Sequence, residues 1–518
     1  MPNTSSHPPQ DDPRRDDPRR NSRGRERSAA RFRTGDRPRT SQAPSERRKR
    51  TDPARTVAFD VLREVDESDA YANLVLPPLL RERHIRGRDA GFATELTYGT
   101  LRLRGRYDAI LATLVDRPLP GLDPALLDVL RLGAHQVLGM RVPVHAAVSE
   151  TVGLARNRVG AGPAQMVNAV LRRVAERPLD EWLAVLTKEA PDTLAGLAAT
   201  ESHPVWIARA LREALAGNGR DADEIGALLA ADNVPPRVTL VARPGLVDVS
   251  DEAAWGDADL VGGRWASTAL RLEGSDPAGI PAIRDGLAGV QDEGSQLVTL
   301  ALADAPLSEG EAGRDERWLD LCAGPGGKAA LLAALAAQRG ATLVANEVAP
   351  HRARLVANAL AAMPDGAVEE VRTGDGRDMG ADEPGAYDRV LVDAPCTGLG
   401  ALRRRPESRW RRTPADLAAL TGLQRELLAS ALDAVRPGGV VAYVTCSPHL
   451  AETQLVVADV LKKRDDVERL DAAAAVRSVV SAGGGTEEIP LSDRDDVQLW
   501  PHVHGTDAMH LTLLRRTA

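Results

Sequence analysis

The chain runs to 518 residues, 43% of them hydrophobic and 3% aromatic, at a formal net charge of −8. That length exceeds a single core and implies two to four domains, and so few Phe, Tyr and Trp speak against extensive base stacking on aromatic rings. Three cysteines make no disulfide framework, no run reaches the ~20 apolar residues of a membrane helix, and residues 1–52 hold no apolar stretch of a signal peptide, so a reducing cytoplasm is expected.

The acidic total by itself argues against a nucleic-acid partner, but its distribution does not. Residues 1–50 carry 15 Lys and Arg against 7 Asp and Glu, a surplus of +8 that leaves −16 for the rest. An arm this basic can track phosphates or serve as a plain solvated tail. Residues 1–52 are rich in Pro, Arg, Asp and Ser and have almost no large apolar side chains. They cannot bury enough surface to offset chain entropy, and disorder is expected there.

From Ala54 the pattern turns helical: Val57, Phe59, Val61, Leu62 and Val65 recur near helical spacing. Further helical runs, broken by Pro and Gly, continue to about Ala190. Pro124 stands where a first-turn proline belongs, and "QMVNAVLRRVAE" is amphipathic with an exposed Arg172–Arg173 pair. Residues 53–190 are expected to form an all-helical domain. In residues 191–290, "HPVWIARALREAL" reads as a helix and "PPRVTLVA" as a strand after a turn, which suggests a small α+β connecting module.

Residues 291–518 alternate strand-length apolar runs ("RWLDL", "ATLVANE", "YDRVLVDA", "GGVVAYVT") with helical segments ("KAALLAALAAQ", "HRARLVANALAAM", "DLAALTGLQRELLASALDAV"). Such alternation predicts a parallel sheet covered by helices on both faces. The late run "MHLTLLRR" is expected to add a final edge strand.

Within this α/β domain, "LDLCAGPGGK" carries a strand into a Gly-rich turn and then a helix. Glycines 324, 326 and 327 let the backbone approach a ligand, but the run is neither the dinucleotide fingerprint nor a Walker motif. Glu347 ends the next strand, 20 residues after Gly327, where an acid is placed to bind ribose hydroxyls. Asp375, in "TGDGR" after the third strand, is placed to hold an adenine end. Singly each is weak, since a strand–Gly–helix turn is often structural. Their order and spacing point to an adenosyl cofactor.

Asp393 and Cys396 follow the fourth strand, in "VLVDAPCTGLG", and Cys446 follows the fifth, in "VVAYVTCSP". Ligands of open parallel sheets bind outside the carboxyl ends of the strands. If these two strands are neighbours, about 4.8 Å apart, the two thiols share one cleft. A lone cysteine is more often a small buried hydrophobe than a nucleophile, but all three of this chain end strands at the ligand edge. Two thiols beside a methyl donor suit one reaction. Cytosine C5 is a poor nucleophile; addition of a thiolate at C6 makes it enamine-like and able to accept a methyl group, after which loss of the C5 proton expels the sulfur. Asp393 is then placed to meet N3 and N4 of the base, or else is a turn carboxylate.

The motifs "CAGPGGK", "DAPCTG" and "TCSP" resemble those of the Nop2/Sun-type RNA cytosine-5 methyltransferases, and residues 54–175, with "RLGAHQVLGMRVPVHAAVSETV" and "VNAVLRR", are similar to NusB-type RNA-binding domains. The combination resembles the RsmB-type enzymes of small-subunit (16S) ribosomal RNA. The resemblance implies a multidomain chain: an all-α NusB-like domain, an α+β linker and a Rossmann-like class I methyltransferase domain. It implies S-adenosylmethionine as cofactor, RNA as partner and no metal. Cys446 would be the nucleophile and Cys396 the residue that assists product release. Cofactor contacts would fall on Cys322, Ala323, Gly324, Pro325, Gly326, Gly327, Lys328, Glu347, Arg352, Asp375 and Asp393. By the same resemblance Arg131, Arg172 and Arg173 would contact phosphates, or be solvated helix faces. The target base would lie in a loop or be flipped out. Two departures stand out: Gly324 replaces a common alanine, and Glu347 an aspartate, lengthening the reach to the ribose by one methylene.

Competing readings are a transfer RNA cytosine-5 methyltransferase, a noncatalytic RNA-binding or antitermination factor, and an exocyclic-amine or protein methyltransferase. The intact cysteines and Gly loop oppose the second, and "DAPC" in place of an Asn/Asp-Pro-Pro-aromatic motif opposes the third.

Overall fold

A computed structural model describes residues 52–274, 276–308, 315–482 and 487–517. The disorder expected of residues 1–52 therefore lies outside the described residues, apart from Asp52. That residue caps the first helix, Pro53–Ser68, by accepting from Arg55 N at 2.8 Å.

Helices Pro53–Ser68, Gly87–Arg102, Pro124–Leu138, Val144–Arg158 and Ala161–Val174 pack around one apolar core. Val57, Phe59, Val61, Leu62 and Val65 all face it. Pro124 sits at N1 behind Asp123, whose carboxylate accepts from Ala125 N at 2.8 Å, as fixed proline φ and an orphan first-turn amide favour. Arg172 and Arg173 are exposed. Arg131, expected on the surface, is not: it is 4% exposed. Its guanidinium grips both oxygens of Asp108 (2.7 and 2.8 Å) and Asp128 (2.9 Å). The two carboxylates supply the hydrogen bonds and charge that burial of the cation demands, so Arg131 is a structural strut.

Three short helices follow, Thr193–Thr200, Val205–Gly217 and Ile225–Ala231. They bury Ala198, Leu211 and Leu229 together with Leu399, Leu402 and Trp500 from far along the chain. Next comes a four-stranded antiparallel sheet of β1 (Val238–Ala242), β2 (Leu260–Gly262), β3 (Ala269–Leu272) and β4 (Ala288–Val290), in the order β2-β3-β1-β4.

The remaining strands are β5 (Arg317–Asp320), β6 (Thr342–Asn346), β7 (Val368–Arg372), β8 (Tyr387–Asp393), β9 (Val435–Thr445), β10 (Val467–Leu470), β11 (Val497–Gln498) and β12 (His510–Arg516). Their order is β7-β6-β5-β8-β9-β12-β10, with β11 pairing β12. The first five are parallel; β12 and β10 each pair antiparallel. Successive strand residues face opposite layers. Val440, Ala442 and Val444 meet helices Glu293–Asp304, Gly327–Gln338 and Ala472–Ala482 on one side, while Val441 and Tyr443 meet Asp416–Ala434 and Gln454–Leu461 on the other.

The run "MHLTLLRR" is not an edge strand. As β12 it lies inside the sheet, between β9 and β10. The edge is β10, Val467–Leu470, whose Glu468 and Arg469 are exposed; charged side chains are a common protection of such an edge, and they hide the strand from an apolar-run reading. Among the described residues no helix is long and apolar enough to cross a membrane.

Candidate functional site

Because β5 to β9 run parallel, five carboxyl ends meet one edge of the sheet. Across it, in the order β7, β6, β5, β8, β9, the chain exits toward Asp375, Glu347, Cys322, Cys396 and Cys446. All the expected site residues thus arise from one edge.

The loop from Cys322 to Gly327 turns β5 into helix Gly327–Gln338. Ala323 N donates to Asn346 O at 2.8 Å, which fastens it to β6. Gly326 takes φ +96°, and a Cβ there would lie 2.7 Å from the Ala359 Cβ and 3.0 Å from the Val356 Cα. No L side chain fits both that backbone and that space. Glu347, 3% exposed, accepts from Gly324 N (3.0 Å) and Ala349 N (3.0 Å) and pairs with Arg352 (3.1 Å). These use three of the roughly four lone-pair directions of a carboxylate and leave one for a hydroxyl. Asp375 is instead engaged by Arg377, at 2.6 Å and through the Arg377 N–H at 3.0 Å. Those hydrogen bonds hold its carboxyl below the ordinary range.

Two buried oxygens at this edge have no hydrogen-bond partner, Asp320 Oδ2 and Asn346 Oδ1. Burial, and then the charge of Asp393, push the Asp320 carboxyl up to about 8. Unpartnered oxygens beside a Gly-rich loop, with the N–H groups of a helix N-terminus behind it, fit a ligand bearing both amine and carboxylate, as an adenosyl amino acid does.

Next to this lies the thiol pair. Asp393 pairs in register with Val444, and Ala394 N donates to Val444 O at 2.9 Å. The two following turns are drawn together, and Cys396 Sγ stands 3.4 Å from Cys446 Sγ. Gly400 N donates to Cys446 O at 2.8 Å, and Ala508 N to Gly400 O at 2.9 Å. A Cβ on Gly400 would sit 2.2 Å from Ala508 O and 2.9 Å from Cys446 O, so only glycine allows this stitch.

The two thiols are not equivalent. The hydrogen bond from Cys396 holds Cys446 below an ordinary thiol despite burial, and Lys328 and Arg405 act the same way. The same bond, with burial, pushes Cys396 up. The environment therefore favours ionisation of Cys446 over that of Cys396. Lys328 donates to Asp393 at 2.8 Å; burial works against its charge, but Asp393 keeps it above its ordinary value. Burial and neighbouring Asp320 push the Cys322 thiol well up, which disfavours its thiolate.

One component has no signal in the motifs. Glu452, fully buried, reaches back to the residues after both cysteines, Thr397 and Ser447. Its only sequence trace is its place six residues after Cys446. Among the described residues no group of three or more His, Cys, Asp or Glu is arranged to hold a metal ion.

Comparison with known proteins matches residues 311–515 to the family model 16S rRNA methyltransferase RsmB/F, and residues 52–176 to the NusB family. A relative from Mycobacterium tuberculosis (strain H37Rv), which bears the provisional name of a methyltransferase, is 51% identical over 92% of this chain and 99% of its own. Ribosomal RNA small subunit methyltransferase B of Pseudomonas putida is 31% identical over 81% of this chain and 91% of its own. Among solved structures, that of PH0851 shares the fold, with TM-score 0.71 and 20% identity over 90% of this chain and 99% of that one.

Proposed function

The chain belongs to the RsmB/F methyltransferase family, with a NusB-type helical domain ahead of the methyltransferase domain, and on that premise we propose that it methylates C5 of a cytosine in small-subunit ribosomal RNA. The observation that carries the cytosine-5 reading is the thiol pair, 3.4 Å apart, in which ionisation of Cys446 is favoured over that of Cys396. A methyltransferase acting on an amine or hydroxyl needs no nucleophile of its own. One acting on a pyrimidine carbon must first make that carbon electron-rich, and a thiolate does so by covalent addition.

Bound along Cys322–Lys328 and against Glu347, S-adenosylmethionine supplies an electrophilic methyl group on a sulfonium. The chain's own residues do the rest. Cys446 Sγ adds its electron pair to C6 of the ring, and the ring electrons move to C5, where the new carbon–carbon bond would form as the methyl–sulfonium bond breaks and a neutral thioether leaves. Cys396, 3.4 Å from the Cys446 sulfur, assists the closing elimination, in which the C5 proton passes to a water molecule acting as base, the C5–C6 double bond re-forms and Cys446 leaves as a thiolate. Lys328 and Asp393 set the charge beside the sulfur. Arg172 and Arg173 of the helical domain contact phosphates of the RNA.

Bisulfite sequencing of ribosomal and transfer RNA from cells with and without the protein tests this reading. One cytosine of small-subunit ribosomal RNA should lose its protection when the protein is removed. Loss confined to transfer RNA, or no loss at all, overturns the proposal.

A further inference from the structure

The turns that carry the two thiols leave different strands, fifty residues apart in sequence. The backbone contacts of Gly400 fix one side of that junction. Its buried side is held by a single carboxylate.

Glu452 Oε1 accepts from Thr397 N at 2.7 Å and from Gln424 Nε2 at 3.2 Å. Its Oε2 accepts from Thr397 Oγ1 at 2.5 Å and from Ser447 Oγ at 2.6 Å. Thr397 follows Cys396 and Ser447 follows Cys446. Glu452, Gln424 and Ser447 have no exposed surface and Thr397 has 2%. The carboxylate is itself anchored: its main-chain oxygen accepts from Tyr443 OH at 2.7 Å, from inside β9. Gln424 comes from helix Asp416–Ala434 and also donates to Pro395 O at 2.8 Å, the residue before Cys396. Four donors from three elements thus converge on one buried carboxylate. Hydrogen bonds to a charged acceptor are about twice as strong as neutral ones, and in a dry site an unmade one is costly.

We propose that Glu452 is a positioning residue that clamps the Cys396 and Cys446 turns to one another and so sets the spacing of the sulfur pair. It touches neither sulfur; it acts through Thr397 and Ser447. Its effect on turnover rests on the reading of both cysteines as reacting groups, but its effect on their spacing does not. The clamp also explains why each thiol is followed by a hydroxyl side chain: both hydroxyls donate to the same oxygen. A gap of one or two tenths of a nanometre between thiolate and acceptor carbon costs on the order of a hundredfold in rate, so a shared rigid brace behind both turns has a direct kinetic use.

The test compares wild type with Glu452→Gln, which keeps size and shape but turns one acceptor oxygen into a donor. The readout independent of methylation is disulfide closure between Cys396 and Cys446 by diamide, which takes up the two thiol hydrogens as it is reduced to its hydrazine. Peptide mapping identifies the link, and the closure rate relative to the rate with free glutathione gives the effective concentration of one thiol at the other. Glu452→Gln should lower that effective concentration at least tenfold. It should also lower kcat for methyl transfer at least tenfold, with S-adenosylmethionine affinity within twofold of wild type. Unchanged closure overturns the clamp, whatever the methylation result. Reduced closure in a protein that methylates no cytosine sustains the clamp and overturns the proposed reaction. Should Glu452→Gln not fold, Ser447→Ala removes one of the four donors, and its closure rate should fall in the same direction; no change there also overturns the proposal.

Discussion

Cys396 and Cys446 share one hydrogen bond, Sγ to Sγ at 3.4 Å, and their surroundings break its symmetry. The hydrogen bond with Cys396, then the charges of Lys328 and Arg405, hold Cys446 down, whereas the hydrogen bond with Cys446, burial and then the charge of Glu452 push Cys396 up. The roles should therefore separate on mutation. Cys446→Ala should bring methyl transfer to background and leave S-adenosylmethionine affinity within about twofold, since no cofactor contact is assigned to that sulfur. Cys396→Ala should still attack but release poorly, so a covalent RNA–protein species should build up as a slow band on a denaturing gel. Equal loss in both variants with no such band contradicts this division of labour.

The Lys328–Asp393 pair predicts a pH effect. Lys328 is one of the charges that hold the Cys446 thiol below its ordinary value. Replacing it by methionine removes that charge, so the thiol titrates at higher pH. Below the pKa, each unit of upward shift lowers the thiolate fraction roughly tenfold. Iodoacetamide alkylation of Cys446, followed by mass spectrometry of its peptide between pH 6 and 9, should show the midpoint moving up in Lys328→Met. A midpoint that stays or falls sinks the assignment.

Glu347 should govern the cofactor end. Its carboxylate holds Gly324 N, Ala349 N and Arg352 and has one acceptor direction to spare. Glu347→Ala removes that acceptor and frees the loop beside it. A hydrogen bond to a charged group contributes about 1.5–3 kcal/mol, so calorimetric affinity for S-adenosylmethionine should fall roughly 10- to 100-fold. Asp375→Asn should cost less, because Asp375 is already engaged by Arg377.

The sequence exposed the parts of this molecule whose chemistry is local. Cys322–Lys328, Cys396 and Cys446 sit in short motifs, and each lies where a strand meets its turn, so pattern and position agree. Parts assembled from distant segments left no such trace. Glu452 lies in an ordinary acidic position of a short 3₁₀ turn, and only the fold brings it under Thr397. Arg131 reads as a surface cation until Asp108 and Asp128 close on it. β10 is masked by its charges, and the misplacement of β12 follows from that, since sequence order does not reveal that a last strand inserts between two earlier ones. Composition marks an edge or a core; pairing across the sheet is set by contacts far apart along the chain.

The junction of the helical and catalytic parts yields a last prediction, and it concerns acid. Arg409 has no exposed surface. Its Nη1 donates to Arg102 O (2.9 Å), Ser202 O (3.1 Å) and Asn233 Oδ1 (2.8 Å), and its Nη2 to Asp232 O (2.8 Å). Arg102 ends helix Gly87–Arg102, Asp232 caps Ile225–Ala231, and Ser202 lies just past Thr193–Thr200. One guanidinium thus satisfies carbonyls at three helix C-termini, where positive charge is favoured. His203 lies in the same cluster, with Nδ1 2.6 Å from Glu201 O and Nε2 3.5 Å from Asp232 Oδ2. Burial, then the charge of Arg409, push its pKa down to about 4, against the favourable pull of Asp232. The folded protein therefore prefers the neutral imidazole. Stability from this preference is present above the unfolded value near ~6.5 and is lost as pH falls toward about 4, amounting to about 3 kcal/mol at the limit. Urea midpoints measured at pH 7.5, 6 and 5 should fall with pH, and His203→Gln, which cannot take up a proton, should show a shallower decline. Buried His504 and His510, also pushed down to about 4, keep part of the slope in that variant. An identical decline in wild type and His203→Gln would mean that the imidazole beside Arg409 does not resist protonation, and that this junction is not a point of acid failure.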